Sequence, residues 1–160
     1  MNTLKSELID ALVAGAVETL QIQCSATIKP GTPFPKNQQV ESRPTLASVI
    51  DVNSPTIRGS VVLRFPETVF LAIMGRMLGE PFTQITDDIQ DGACELLNVI
   101  FGHAKMTLNE RGHSIEKAIP CILGGMKAEL IGFQLSEVLV VPFESDLGAF
   151  QLEIAPPALH

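Results

Sequence analysis

The sequence predicts an α+β fold in which three main helices pack on an antiparallel β-sheet. Three observations carry this expectation. Two long segments, 3–20 and 88–111, repeat apolar residues at helical spacing, and a shorter helical segment follows Pro66. Runs rich in valine, isoleucine and phenylalanine come in pairs around turn residues, which marks hairpins. The chain has 160 residues, 46% of them apolar, enough to bury a substantial core.

The elements follow in order. In TLKSELIDALVAGAVETL, residues 3–20, Leu4, Leu8 and Leu12 recur every four residues, and Ala11 and Leu20 extend the face. QIQCSATI, 21–28, is β-compatible. Pro30, Pro33, Pro35 and Pro44 then predict a long irregular loop over 30–44. LASVIDV (46–52) and GSVVLRF (59–65) flank Asn53, Ser54 and Pro55, whose turn chemistry predicts an antiparallel hairpin. Pro66 suits the first turn of the next helix, VFLAIMGRML carries its apolar face, and Gly79 with Pro81 stops it. Thr86 or Asp87 can cap the longest helix, expected from about 88 to 111 and ended by Arg111-Gly112. HSIEKAIPCILGG reads as extended, with Pro120 at an edge or break. SEVLVVPFES and GAFQLEIAP form a closing hairpin through Asp146, Leu147 and Gly148, and the tail 156–160 is expected to fray. The expected order is α-β-β-β-α-α-β-β-β, in one domain over 1–160 with no solenoid repeat.

Composition narrows the function. The formal net charge is −7, with no basic run, no tryptophan and no tyrosine, which argues against a nucleic-acid surface. Acidity suits solubility, and equally a partner that presents a lysine. MNTLKSEL lacks the apolar region of a signal segment, and no apolar run approaches a membrane span. Cys24, Cys94 and Cys121 are isolated, so neither a disulfide framework nor a structural zinc site is expected. A reduced, cytoplasmic protein without membrane contact is the expectation. His103 and His113 stand ten residues apart and His160 is terminal, without metal-ligand spacing. No phosphate-loop pattern surrounds Gly112, Gly124 or Gly125.

One stretch stands out. On a helical wheel of DDIQDGACELLNVIFGHAK, 87–105, Glu95 lies about 40° and Asn98 about −20° from Asp91. Gly102 and Lys105 continue that stripe, while Ile89, Ala93, Leu96, Leu97, Ile100 and Ala104 gather on the opposite side. The common explanation of such a stripe is a solvated helix face. Two details point further. Asparagine is a mediocre helix former, because its amide competes for backbone bonds. The flanking Gly92, Ala93, Cys94 and Gly102 are small, leaving room for another backbone to approach. His103 borders the apolar face and reads as a partly buried structural histidine. Cys94 has no histidine at a helical neighbour position to activate it, so it reads as a packing residue.

Asp91-x-x-x-Glu95-x-x-Asn98 followed by Pro120 resembles the signature of the CheC/CheX/FliY family of chemotaxis phosphatases. IDALVAGAVETL resembles the opening helix of that family, IRGSVVLRFPETVFLAIMGRMLGE its hairpin and following helix, and AIPCILGG the strand after its long helix. The resemblance runs from about residue 9 to 155 and implies a CheX/CheC-like fold. A single motif and a short chain favour the CheX branch. CheC-type relatives carry a second Glu-x-x-Asn on the opening helix, where IDALVAGAVETL has no asparagine, so one active site per chain is expected.

The resemblance implies hydrolysis of the aspartyl phosphate on a CheY-type response regulator, with Asn98 positioning the attacking water and Glu95 pairing with the receiver's active-site lysine. It implies no cofactor held by this chain, the Mg²⁺ residing in the receiver, and a homodimer formed through sheet edges. Physical chemistry agrees that little more is needed. An acyl phosphate is already reactive, and an amide both donates and accepts hydrogen bonds to a water, as the water-orienting glutamine of GTPases does. The i, i+3 spacing lets Glu95 and Asn98 reach one partner surface. Asp91, one turn earlier, is assigned a docking role and Pro120 a structural one. The rival chemistry makes Asp91 and Glu95 a general acid–base pair, which an exposed face disfavours. The rival function is a non-catalytic module that docks a receiver or a motor-switch component.

Overall fold

Residues 3–39, 43–123 and 137–156 are described by the structure, a computed structural model. Helix α1 spans Thr3–Cys24. Leu8, Leu12, Ala16, Leu20 and Cys24, spaced by four, are all at most 5% exposed. That spacing corrects the expectation of extended chain from residue 21, because Cys24 prolongs the buried line of Leu20 by one more turn. Ser25, at φ 52°, ends the helix, and Arg76 Nη1 donates to Cys24 O over 3.2 Å.

Within the expected loop, residues 30–39 are more ordered than their prolines predict. Strands β1 (Ile28–Pro30) and β2 (Phe34–Pro35) both pair with β6 (Leu139–Ser145), and a 3₁₀ turn follows at Lys36–Gln38. Proline is tolerated there because these short strands need few ladder donors. Residues 40–42 of the expected loop lie outside the described residues. Strands β3 (Thr45–Asn53) and β4 (Arg58–Pro66) form the expected hairpin, its turn held by Ser54 Oγ accepting from Ile57 N over 2.9 Å. Helix α2 (Glu67–Leu78) stops at Gly79, whose φ of 74° is the left-handed cap. Helix α3 runs Asp87–Glu110. The stretch 113–125 is extended only in part: Cys121–Ile122 forms β5 on β3, and Gly124-Gly125 lie outside the described residues, as do Ser136 and 157–160 of the tail. Strand β7 (Phe150–Ala155) closes the C-terminal hairpin with β6.

The strands make one antiparallel sheet in the order β1-β6-β7-β4-β3-β5, with β2 on β6. Alternation turns Leu46, Ile50, Leu63, Phe65, Val141 and Leu152 toward the helices, where they join α1 and α3 in one core. Four phenylalanines extend that core: Phe143 stacks on Phe150 at 4.9 Å between centroids, Phe65 meets Phe150 at 5.2 Å and Phe70 at 5.8 Å. Helices α1 and α3 approach closely at Gly15, where an added Cβ would stand 2.8 Å from Ile100 O. No helix among the described residues is long and apolar enough to cross a membrane.

The other face of the sheet buries charge. Glu153 on β7 is 1% exposed and accepts from Arg64 Nε at 2.7 Å and from Lys36 Nζ at 2.8 Å. Burial alone would raise its carboxyl pKa, but Arg64 and Lys36 outweigh it and hold the group below its ordinary value. A carboxyl so depressed contributes stability that is complete above about pH 5 and is lost as pH falls through the lowered value. Replacing Glu153 by leucine takes the shared anion from two buried cations and is expected to cost about 3–5 kcal/mol at neutral pH. Urea unfolding of Glu153→Leu and wild type between neutral and acid pH checks both points. The gap between them should narrow with acid, and a constant gap would contradict the assignment.

Candidate functional site

Helix α3 begins where Thr86 Oγ1 accepts from Ile89 N over 3.3 Å, with Asp87 and Asp88 in the first turn facing its positive end. Ala93, Leu96, Leu97, Ile100, Ala104 and Leu108 are buried to 1% exposure or less. Ser48 Oγ on β3 donates to Ala93 O over 3.0 Å and ties the helix to the sheet directly behind the polar stripe. With that face down, Asp91, Glu95 and Asn98 point outward, and all three are exposed. Among the described residues none of their side chains is engaged in a hydrogen bond or ion pair, so each is available to an incoming group.

The three residues open onto a groove of about 570 Å³ whose other wall is the segment 117–122. Local geometry fixes that wall. His113 is 7% exposed; its Nε2 lies 2.6 Å from Glu7 Oε2 and its Nδ1 2.9 Å from Thr56 Oγ1. Asn109 Oδ1 at the end of α3 accepts from Ile115 N at 2.6 Å. Glu116 N donates to Asn53 O at 2.9 Å, and Asn53 Nδ2 donates back to Glu116 Oε2 at 2.8 Å. Pro120 sits on the wall one residue before β5, where Cys121 pairs with Val49.

Helical periodicity accounts for the α3 wall, whereas on the second wall only Pro120 stands out in the sequence. Lys117, Ile119 (85% exposed) and Cys121 also line the groove. Their segment has no periodicity to read, and Pro120 alone pointed to it. Cys94 lies between the walls and is half-buried. Burial, then the charges of Asp91 and Cys121, push its thiol pKa up, which keeps it protonated and unsuited to nucleophilic attack. His103 borders the apolar face, with Nε2 2.7 Å from Glu18 Oε2 and a buried Nδ1 that has no partner. Among the described residues no group of three His, Cys, Asp or Glu is placed to hold a metal ion.

The family model described as chemotaxis phosphatase CheX matches residues 46–144, a stretch that contains both walls of the groove. The chain belongs to the CheX family. Among solved structures, a CheC-like superfamily protein from Shewanella sp. PV-4 is similar at 27% identity and TM-score 0.80, over 97% of this chain and 98% of that one. The chemotaxis protein CheX from Vibrio vulnificus is similar at 27% identity and TM-score 0.80, over 93% and 98%. A CheX–CheY–BeF₃–Mg²⁺ complex from Borrelia burgdorferi shares the fold at 19% identity and TM-score 0.69, over 92% and 96%. A search of curated protein sequences finds no match. Three helices on an antiparallel sheet are thus the CheX/CheC-like arrangement that the sequence predicts.

The environments of the three thiols predict their reactivity. Cys24 is 1% exposed, and burial, partly offset by Arg76, raises its pKa to about 11. Under a thiol-labelling reagent at mildly alkaline pH, Cys121 should react first, Cys94 more slowly, and Cys24 only when the chain unfolds. Peptide mass spectrometry of the time course checks the order. Native-state labelling of Cys24 as fast as that of Cys121 would contradict it.

Proposed function

We propose that this chain hydrolyses the aspartyl phosphate of a CheY-type response regulator in chemotaxis signalling, in the cytoplasm. The observation that carries the reading is the Glu95–Asn98 pair: exposed, uncommitted and one helical turn apart on α3, above a groove, in a chain of the CheX family. The Borrelia burgdorferi relative is a complex of CheX with CheY, BeF₃ and Mg²⁺, which supports a receiver as the partner of this fold.

In this reading the receiver docks against α3. Glu95 pairs with its active-site lysine and holds the helix in register. Asn98 accepts one hydrogen bond from a water and donates another to it, aiming the water oxygen at phosphorus. The water oxygen forms a bond to phosphorus, the bond from phosphorus to the aspartyl oxygen breaks, and the receiver's carboxylate and inorganic phosphate separate. Asp91 supports docking, and Pro120 shapes the wall. Mg²⁺ is expected in the receiver and none in this chain. Asp91 and Glu95 are both exposed, without the buried pocket in which a carboxylate acid–base pair is ordinarily built.

Asn98→Ala separates catalysis from scaffolding. Turnover of a phosphorylated receiver should fall about a hundredfold or more, as when a positioning group is removed from a preorganised site, while binding of the receiver persists. Glu95→Ala should instead weaken binding by about tenfold or more, the worth of a charge-assisted hydrogen bond. Phosphate release and calorimetric binding, measured on the same variants, check the split. Unchanged turnover in Asn98→Ala would remove the mechanism, and receiver binding without any turnover in wild type would favour the docking module.

A homodimer joined through sheet edges belongs to the same proposal. Among the described residues the two-residue strand β5 is an outer strand of the sheet, beside the groove. Light scattering on the full chain should give twice the 17.2 kDa protomer mass. A monomer at working concentration would contradict it.

A further inference from the structure

The groove wall opposite α3 carries one cation among the described residues, Lys117. Its side chain makes no hydrogen bond and no ion pair, although Asp91 and Glu95 line the same groove. In a chain of net charge −7 the ordinary use of an exposed lysine is to pair with one of many carboxylates or to stand in solvent.

Two features of Lys117 differ from that use. Its backbone is pinned on both sides. The preceding Glu116 exchanges two hydrogen bonds with Asn53, and the following Ala118 packs against the core before β5 joins β3. The ammonium is therefore carried on a fixed base, where a surface lysine on a loose loop would not be. Second, the groove brings together three kinds of group, a carboxylate, an amide and an ammonium, each uncommitted. Hydrolysis of an acyl phosphate places negative charge on the non-bridging phosphoryl oxygens and the leaving carboxylate. Glu95 and Asp91 repel that charge, and Asn98 is neutral. Among the described residues that line the groove, the Lys117 ammonium is the group able to offset it.

We propose that Lys117 reaches across the groove to a non-bridging phosphoryl oxygen of the docked receiver, making it a further substrate-contacting residue beside Glu95 and Asn98. The inference rests on the phosphatase reading. It assigns the two walls opposite electrostatic tasks. The acidic α3 stripe meets the receiver's lysine, and Lys117 meets the phosphoryl group. Arginine would serve the same task, since it keeps the charge and the donors.

The test uses the full chain and a CheY-type receiver that wild type dephosphorylates. Binding is measured by calorimetry to the receiver loaded with BeF₃⁻ and Mg²⁺, which stands in for the phosphorylated form, and to the receiver with Mg²⁺ alone. Because Lys117 is exposed, Lys117→Met should keep the wild-type melting temperature. The variant is expected to bind the loaded receiver about tenfold more weakly, to bind the unloaded receiver as wild type does, and to lose turnover. Lys117→Arg is expected to restore both readouts. Equal losses for loaded and unloaded receiver would overturn the phosphoryl contact and assign Lys117 to carboxylates on the receiver surface. No loss for either form would return it to a solvated charge. If wild type accelerates dephosphorylation of no receiver, the phosphatase reading itself falls and Lys117 with it, a result distinct from failure of Lys117 alone.

Discussion

Helix α3 is held face-down by side chains of near-zero exposure, and the rest of the site depends on that constraint. Ala93, Leu96, Leu97, Ile100 and Ala104 settle onto the sheet and α1, and Ser48 bonds the carbonyl of Ala93 from beneath. A helix has one rotational setting that buries such a stripe. Once it is taken, Asp91, Glu95 and Asn98 have no direction left except outward. The same packing explains Gly15, where α1 comes so near the backbone of Ile100 that a side chain has no room. The positions of the polar groups thus follow from apolar burial, which supplies the rigidity that the proposed water positioning needs.

The second wall of the groove is held by polar bonds. His113 bridges Glu7 on α1 and Thr56 in the β3–β4 turn, and Asn53 holds Glu116 from the same hairpin. These bonds gather the start of α1, the hairpin turn and the end of α3 around one short segment without regular structure. Such segments carry function because a scaffold fixes them. Division of labour follows: hydrophobic packing orients the helix that bears Glu95 and Asn98, and a hydrogen-bonded bracket sets the irregular wall that bears Lys117 and Pro120.

Much of this was legible in the sequence. The Asp91–Glu95–Asn98 stripe and its opposed apolar face could be read from 3.6-residue periodicity, because α3 is amphipathic along its whole length. Thr86, Gly79 and the turn at Ser54 announced their elements through local chemistry. What failed was local preference set against tertiary packing. QIQC looks β-compatible, yet Cys24 extends a buried helical line that no window ending at Leu20 contains. The prolines of 30–44 suggested an irregular loop, yet β1 and β2 dock on β6, and Lys36 is drawn in by Glu153, 117 residues away. Lys117 faces α3 through bonds between residues far apart in the chain, and nothing in HSIEKAIP signals that distance.

The central claim is that Asn98 and Glu95 meet a receiver's phosphoryl site from the outward face of α3. A crystal structure of this chain bound to a BeF₃⁻- and Mg²⁺-loaded receiver tests it most directly. The account predicts the Asn98 amide within hydrogen-bond distance of a water in line with the beryllium–oxygen bond, and the Glu95 carboxylate paired with the receiver lysine. A receiver docked elsewhere on the molecule, with the α3 stripe still facing solvent, would contradict it.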